Sequence, residues 1–238
     1  MASIARVTRA RFVVPVLLAL LVAGCGGGSG GSGSPATKAP CSYPKGGSTT
    51  PTKVEQPPST PPSDLPSRIT ISTSAGEIPV NLDATSAPCA VNSLVSLAKQ
   101  GYFDKSSCHR LTTQGYFVLQ CGDPTGTGRG GPGYTFADEL VDNDPRLQPC
   151  GEAQSQPFCT YNAGTVAMAN AGRDTNGSQF FLVYGNSKFP PAYTVLGTMD
   201  AAGLKVVKAI AAKGIGTPNG LGPGDGAPKD PVTITGIR

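Results

Sequence analysis

The chain has 238 residues, including 32 glycines, 23 prolines, seven cysteines and no tryptophan, and its formal net charge is +4. Three of its 19 basic residues lie within the first 11 positions, so loss of that leader leaves 16 basic against 15 acidic side chains. A mature chain near +1 has no charge excess for nucleic acid or for a polybasic membrane patch, and neither partner is expected.

The N-terminus has the layout of a secretory leader. Arg6, Arg9 and Arg11 precede an apolar run over residues 12–22, which is too short to span a bilayer. The run ends in the sequence VAGC, which looks like a bacterial lipobox whose cysteine is Cys25. We therefore expect residues 1–24 to be a lipoprotein signal peptide. Lipidated Cys25 would anchor the protein to the cell membrane, facing the extracytoplasmic side.

The next segment, residues 25–66, is rich first in Gly and Ser and then in Pro, Thr and Ser. It carries nine of the 23 prolines and few apolar residues, so its composition predicts a disordered tether that buries no core. The folded domain is then expected to span residues 67–238.

Six cysteines remain after Cys25, and an even number in an exported chain favours disulfides. A single histidine and the lack of a CxxC pair in the sequence argue against a metal site. Fifteen pairings are possible on the sequence alone. Cys150 and Cys159 lie at the two ends of one loop, and Cys108 and Cys121 flank a hairpin with its turn near residues 113–115, so these two pairings are favoured. Cys41 with Cys89 then follows by elimination.

The domain begins with a hairpin and a helix. Residues 68–82 alternate apolar and polar side chains around a turn at Ala75-Gly76, which predicts a β-hairpin. Pro88 marks a helix start and Gly101 the expected stop. The apolar face of this helix consists of Val91, Leu94, Val95 and Ala98.

Short strand-like runs make up most of the remaining chain. A second helix is expected over residues 201–213, capped by Asp200 and ended by Gly214. Eight short strands and two helices indicate a mainly β domain, although periodicity does not choose between a barrel and a sandwich. Beyond the hairpin, the predicted strands are 108–111, 117–120, 165–169, 180–183, 193–197 and 232–237.

Two stretches contain most of the candidate site residues: CHRLTTQGYFVLQCGD at residues 108–123 and MANAGRDTNGSQFF at residues 168–181. They offer one guanidinium, several neutral hydrogen-bonding groups and aromatic rings, but no nucleophile paired with a base. Arginine donates from a rigid planar fork and keeps its charge. This combination suits a neutral apolar ligand whose amide is to be held, and it argues against hydrolysis and redox chemistry.

These two stretches resemble the signature of the cyclophilin family of peptidyl-prolyl cis-trans isomerases, and the resemblance extends loosely from Arg68 to the C-terminus. It implies a closed eight-stranded antiparallel β-barrel capped by two α-helices. It also implies an enzyme that accelerates rotation about X-Pro bonds in exported or envelope proteins, assists their folding and needs no cofactor or metal. We expect a monomer that binds proline-containing polypeptide segments.

The resemblance also implies roles for individual residues. Arg110 would be the catalytic residue that stabilises the twisted imide. The proline pocket would be lined by Phe117, Met168 and Phe181, and the peptide backbone held by Gln120, Ala169, Asn170 and Gln179. The rim would carry Phe189, where many eukaryotic relatives have tryptophan, and Tyr193, where they have histidine. His109 would adjoin the substrate as a packed, hydrogen-bonded strand residue rather than a general base.

The sequence also allows other interpretations. Residues 126–131 fit the pattern GxGxxG, but Pro132 follows where a dinucleotide site needs a helix, so a surface loop is expected. The main alternative to the enzyme is a binding module of the same fold that docks proline-containing segments without turnover, or an anchored chaperone that uses exposed apolar surface.

Overall fold

The computed structural model describes residues 40–48, 50, 52–153 and 155–238. The predicted signal peptide, Cys25 and the tether up to residue 39 lie outside these residues. The described helices are α1 (Pro88–Lys99), α2 (Ala201–Ala212) and a 3₁₀ helix at Pro145–Leu147. The described strands are β1 (Arg68–Thr73), β2 (Gly76–Leu82), β3 (Arg110–Thr112), β4 (Phe117–Cys121), β5 (Cys150–Ala153), β6 (Gln156–Tyr161), β7 (Thr165–Met168), β8 (Phe180–Gly185), β9 (Ser187–Phe189), β10 (Val195–Met199), β11 (Ile215–Pro218), β12 (Asp225–Pro228) and β13 (Ile234–Ile237).

The predicted first hairpin is confirmed. Strands β1 and β2 pair antiparallel, with Ile69 opposite Val80 and Ile71 opposite Ile78. All four side chains are buried, because alternate residues of a strand point to the same face of the sheet.

Both predicted helices are confirmed. Helix α1 has proline in its first turn and is followed by Gly101, whose φ of +68° is the left-handed conformation that ends many helices. Helix α2 is capped by Asp200, whose carboxylate accepts a 2.8 Å hydrogen bond from the Gly203 amide. A Cβ at Gly203 would lie 3.0 Å from the carbonyl oxygen of Pro79, so glycine lets α2 pack closely on β2.

The predicted closed eight-stranded barrel is wrong. Ten strands form one sheet in the order β11-β12-β3-β4-β8-β7-β10-β2-β1-β13, and the described ladder does not close. Just before β3, Lys105 has a φ of +64°, so the backbone there leaves the extended conformation. Strand β13 and its flank meet this segment through an isolated bridge between Ser107 and Thr233 and single bonds such as Cys108 N to Val232 O at 2.9 Å.

Five described strands were not predicted. Strands β11 and β12 lie in a Gly- and Pro-rich segment in which apolar and polar side chains do not alternate. They pair with each other, and β12 also pairs with β3. Strands β5, β6 and β9 form a separate three-stranded sheet. Residues 150–153 are all exposed, so no hydrophobic pattern marks β5 in the sequence.

The three favoured disulfide pairings are confirmed. The Cα atoms are 5.5 Å apart in Cys41–Cys89, 4.0 Å in Cys108–Cys121 and 3.9 Å in Cys150–Cys159. Cys150 and Cys159 lie directly opposite each other on β5 and β6, while Cys108 and Cys121 join the segment before β3 to the end of β4.

The described residues between 40 and 66 differ from the predicted tether. Tyr43 is only 7% exposed, and its ring lies 5.6 Å from that of Tyr134. Its hydroxyl donates to the Cys89 carbonyl at 2.8 Å and accepts from Asn92 Nδ2 at 3.0 Å. The compact unit therefore includes the described residues between 40 and 66 and does not begin at residue 67. The average composition of residues 25–66 gives no sign of Tyr43 or of the Cys41–Cys89 disulfide, and these two features attach the described residues of the segment to the domain.

The sheet separates two apolar clusters. On β8, Phe180 and Leu182 belong to the main core, whereas Phe181 and Val183 belong to a smaller cluster on the opposite face. This smaller cluster borders the candidate site. Among the described residues, no helix combines the length and apolar character needed to cross a membrane.

Candidate active site

Arg110 and Gln120 lie opposite each other on β3 and β4. Their neighbours Leu111 and Leu119 are fully buried in the main core, so strand alternation places Arg110 and Gln120 on the outer face. Arg110 Nη1 donates to Gln120 Oε1 at 3.3 Å. The predicted catalytic arginine and one predicted backbone-binding amide are thus adjacent.

Asp225 on β12 holds the other edge of the guanidinium. Arg110 Nε donates to its Oδ1 at 2.9 Å and Nη2 to its Oδ2 at 2.6 Å, and the two side chains are 23% and 9% exposed. This bonding raises the pKa of Arg110 against the opposing effect of burial. Burial raises the pKa of Asp225, but hydrogen bonds from Arg110 and Asn219 outweigh it and lower that pKa overall. Both side chains therefore stay charged at neutral pH.

Gln120 and Gln179 form an amide relay behind the arginine. Gln120 Nε2 donates to Gln179 Oε1 at 2.9 Å. Gln179 Nε2 in turn donates to the carbonyl oxygens of Gly128 and Gly130, at 3.0 and 2.9 Å. Gln179, expected to hold the peptide, instead uses its amide donors to fix the glycine-rich segment.

That segment, residues 123–130, is a loop capped by one carboxylate. Asp123 accepts backbone hydrogen bonds from Thr125 at 2.8 Å, Thr127 at 3.1 Å and Gly130 at 3.0 Å. Burial raises the pKa of Asp123, but hydrogen bonds from the Thr125 hydroxyl and from the Gly130 and Thr125 amides outweigh it and lower that pKa overall. The GxGxxG pattern is accordingly a turn-rich loop and does not open a helix.

Three of the predicted pocket and rim residues come together as an aromatic cluster. The ring centroids of Phe181 and Phe189 are 5.6 Å apart, those of Phe181 and Tyr193 5.4 Å, and those of Phe189 and Tyr193 5.8 Å. The last two pairs are edge-to-face, an arrangement aromatic rings favour. Tyr161 and Val118 pack in the same apolar cluster.

Tyr116 links this aromatic cluster to Arg110. Its ring centroid is 5.0 Å from that of Phe189, and the Arg110 guanidinium carbon lies 5.9 Å from its ring centroid. The Arg110 Nη2 atom is also 3.5 Å from the Tyr116 hydroxyl oxygen. Sequence reasoning missed Tyr116, although its position beside Phe117 in the first motif was a usable signal.

Met168 does not line the outer face. It is 2% exposed and belongs to the main core, whereas the adjacent Ala167 belongs to the cluster around Phe181. Strand alternation along β7 is the physical reason, since successive side chains point to opposite faces. The predicted role of Met168 in the proline pocket is therefore wrong, and the residue supports the sheet from within.

Phe117 also lies apart from the aromatic cluster. Its ring centroid is 5.8 Å from that of Tyr184, and it borders a shallow hollow of about 400 Å³ beside Lys208 and Ala211 of α2. The register of β4 against β8 shifts between residues 117 and 118, and Val118 rather than Phe117 belongs to the apolar cluster that contains Phe181. Val118 takes the place that the sequence had assigned to Phe117.

Asn170 and Ala169 support the rim. Asn170 Nδ2 donates to the Ala192 carbonyl at 2.9 Å and to Asp138 Oδ1 at 3.3 Å. The Ala169 amide donates to the Gln179 carbonyl at 2.9 Å, and its side chain packs on the aromatic cluster. Asn170 and Tyr193 line a neighbouring cavity of about 700 Å³.

His109 is packed but not hydrogen-bonded. Both ring nitrogens are buried, and neither has a partner among the described residues, so the expected hydrogen bond is wrong. A Cβ at Gly128 would lie 3.2 Å from His109 Nε2, which shows how closely the loop covers the imidazole. Burial lowers the pKa of His109, and the ring is neutral at pH 7.

The sequence is similar to those of known proteins. Residues 68–238 match the family model described as cyclophilin type peptidyl-prolyl cis-trans isomerase/CLD. The chain is 48% identical over 180 residues to the probable peptidyl-prolyl cis-trans isomerase B of Mycobacterium tuberculosis, covering 72% of this chain and 54% of that protein. It is 38% identical over 186 residues to peptidyl-prolyl cis-trans isomerase A of the same species, covering 71% and 89%.

The chain thus spans about half the length of the isomerase B relative. Among solved structures, a cyclophilin type peptidyl-prolyl cis-trans isomerase of Cryptosporidium parvum is similar, with a TM-score of 0.54, 26% identity, and coverage of 72% of this chain and 95% of that one. The chain belongs to the cyclophilin-type peptidyl-prolyl cis-trans isomerase family.

Proposed function

We propose that this protein accelerates cis-trans isomerisation of X-Pro bonds in flexible polypeptide segments outside the cytoplasmic membrane. The observation that carries the proposal is the Arg110 guanidinium, fixed beside Gln120 and 5.9 Å from the ring centroid of Tyr116, which itself packs on Phe189 of the aromatic cluster. A permanently charged donor next to an apolar surface matches what a rotating imide requires.

The chemistry requires stabilisation of a twisted amide and no bond breakage. Rotation costs about 18–20 kcal/mol because the amide loses its resonance. Uncatalysed exchange takes about 10–100 s, and shortening it to milliseconds removes about 5.5 kcal/mol from the barrier. In the twisted state the prolyl nitrogen regains a lone pair that can accept a hydrogen bond. A guanidinium that donates to this nitrogen binds the transition state better than either planar form.

Arg110 has a donor free for this purpose. A guanidinium carries five N–H groups. Within the described part of the chain, Nε and Nη2 donate to Asp225, and Nη2 also lies near the Tyr116 hydroxyl. One of the two hydrogens on Nη1 is donated to Gln120. The second Nη1 hydrogen is available to a ligand. Apolar neighbours strengthen this donor because they exclude water.

The proline ring is proposed to pack against the aromatic cluster. Phe181 and Val118 would form its floor, and Phe189 and Tyr193 its rim. This assignment keeps Arg110, Gln120 and Phe181 from the original expectation and replaces Phe117 and Met168 by Val118. Because Phe189 lacks an indole donor, we expect weaker cyclosporin binding than in relatives with tryptophan at this position.

The finer proposal is an exported lipoprotein that acts as a monomer. It is supported by the leader with its lipobox at Cys25 and by three disulfides, which form in oxidising compartments. The proposed place is the outer face of the cytoplasmic membrane, where clients would be exported proteins still folding. The mechanism breaks no covalent bond and requires no cofactor.

The test is an isomerisation assay with a short X-Pro peptide on residues 26–238, wild type beside Arg110→Ala. We expect the variant to lose about a hundredfold in kcat/KM while retaining peptide binding, because only the transition-state contact is removed. Arg68→Ala is the control, since Arg68 pairs with Asp200 and contacts none of the site residues described above.

Other outcomes separate the alternatives. Peptide binding by a wild type that gives no acceleration would establish the binding module instead. Suppression of client aggregation that is equal in wild type and Arg110→Ala, without acceleration, would identify the anchored chaperone.

A further inference from the structure

Asp225 is an unexpected component of the site. It lies 115 residues from Arg110 in the chain, outside both motifs, and reaches the guanidinium because β12 pairs with β3. Its carboxylate binds the Nε–Nη2 edge through two oxygens, at 2.9 and 2.6 Å. Such side-on pairing fixes both the position and the plane of a guanidinium.

The carboxylate is itself held in place. Asn219 Nδ2 donates to Asp225 Oδ1 at 2.6 Å, and the Asp225 side chain is only 9% exposed. Its backbone is paired opposite Thr112 on β3. The chain Asn219–Asp225–Arg110 is therefore a series of short polar contacts leading from the β11–β12 hairpin to the arginine.

The carboxylate is not needed to join β12 to β3. The main chain already does so, since Asp225 and Gly226 register with Thr112 and Leu111 and the Thr113 amide donates to the Gly224 carbonyl at 2.7 Å. What the side chain adds is control of Arg110. A free arginine samples many rotamers, so ordering it at the moment of catalysis would oppose rate enhancement.

We propose that Asp225 is the positioning residue of this site: it binds the Nε–Nη2 edge of Arg110 and leaves the Nη1 edge, beside Gln120, as the one that meets substrate. The inference rests on the proposed isomerase function and adds an anionic partner that acts only through the arginine. Asn219 supports the same arrangement at one remove.

A double-mutant cycle tests this proposal. In the wild-type background, Asp225→Asn should lower kcat about tenfold with KM changed less than twofold, because the amide keeps the shape but cannot accept both N–H groups. In the Arg110→Ala background the same change should alter the residual rate less than twofold. A merely structural Asp225 would reduce activity in both backgrounds.

Two further variants keep the test sharp. Asp200→Asn is the matched control: Asp200 also pairs with an arginine at 2.6 Å, and we expect full activity from it. Asn219→Ala leaves the Arg110–Asp225 pair in place but loosens it, and we expect a two- to threefold fall in kcat. This milder variant decides the question if Asp225→Asn does not fold.

A direct probe is the NMR signal of the Arg110 Nε–H group, assigned by its loss in Arg110→Ala. Its exchange with water should be at least tenfold faster in Asp225→Asn than in wild type. If the wild type does not accelerate X-Pro isomerisation, the proposed function fails. The exchange measurement still tests whether Asp225 holds Arg110 in place. Unchanged exchange, unchanged or increased kcat, or equal losses in both backgrounds would overturn the proposal.

Discussion

At the scale of single residues, the site depends on which groups keep their charge. Arg110 and Asp225 remain ionised because each stabilises the charged form of the other. His109 lies next to Arg110 in the chain but is neutral, since burial lowers its pKa and its nitrogens have no partners among the described residues. The only histidine in the chain is therefore poorly placed to move a proton, and its expected effect is on stability.

His109 gives a pH prediction. Its folded pKa lies below the unfolded value of about 6.5, so below that pH the unfolded state binds more protons. The free energy of unfolding should be highest above pH 6.5 and fall as the pH drops from 6.5 towards the folded pKa. Urea unfolding between pH 7.5 and 5 measures this, with His109→Phe as the comparison.

The slope between pH 6.5 and 5 should be smaller in His109→Phe than in wild type. Because the chain has one histidine, the difference between the two slopes isolates its contribution. Parallel slopes would contradict the assignment of His109 as a buried neutral ring.

At the scale of elements, the described residues between 40 and 66 act as an ordered strap rather than as a tether. Cys41–Cys89 joins the strap to α1, and Tyr43 packs edge-on against Tyr134 and Phe136. Gln56 Nε2 donates to the Tyr43 carbonyl at 2.6 Å, which folds the strap back on itself. These contacts lie on α1 and the core beside it, and none involves Arg110 or the aromatic cluster.

Replacing Cys41 and Cys89 together by serine should therefore separate stability from activity. We expect a loss of about 2–5 kcal/mol in the free energy of unfolding, typical of a native disulfide in a small exported domain, with kcat/KM unchanged. Thermal unfolding and the peptide assay measure the two effects. Limited proteolysis should cut near residues 45–55 in the variant and not in wild type.

The double variant Cys150→Ser/Cys159→Ser is the matched control. That disulfide joins β5 to β6, away from the strap, so the proteolytic site near residues 45–55 should stay protected. Cleavage there in both variants would show that the strap is held by general stability and not by its own disulfide.

At the scale of the whole molecule, the proposed lipid anchor would determine where the protein works, and the β domain would carry the proposed isomerase activity. The proposal assigns the location to the leader and Cys25, and the activity to Arg110 with the aromatic cluster. No charge excess in the mature chain adds to membrane binding, so attachment should depend on Cys25 alone.

Cys25→Ser tests that dependence. In cells of a bacterium that makes lipoproteins, wild-type protein should fractionate with membranes, and the variant should be largely lost from that fraction. Ser32→Ala, a neutral change in the same Gly/Ser-rich segment, should behave as wild type. Peptide isomerisation per molecule should be equal in all three. Membrane retention of Cys25→Ser would refute the lipid anchor.

The sequence by itself determined the elements with strong local patterns and singled out two of the polar site residues. The hairpin of β1 and β2 and helices α1 and α2 follow from period-2 and helical patterning with Pro88 and Asp200 at the helix starts. The motifs identified Arg110 and Gln120, and cysteine spacing led to the disulfides. Except for Cys41–Cys89, which spans 48 residues and followed by elimination, these features depend on neighbours close in the chain.

Only the tertiary structure decided which side chains share a face and which distant residues meet. It placed Met168 in the main core, because successive side chains of β7 point to opposite faces of the sheet. It also placed Val118 where Phe117 was expected, because the register of β4 shifts by one residue at that point. It left the ladder open, and it brought Asp225 to Arg110 across 115 residues. Strand pairing is non-local, and a segment as poor in apolar residues as β12 carries no local signal of its partner.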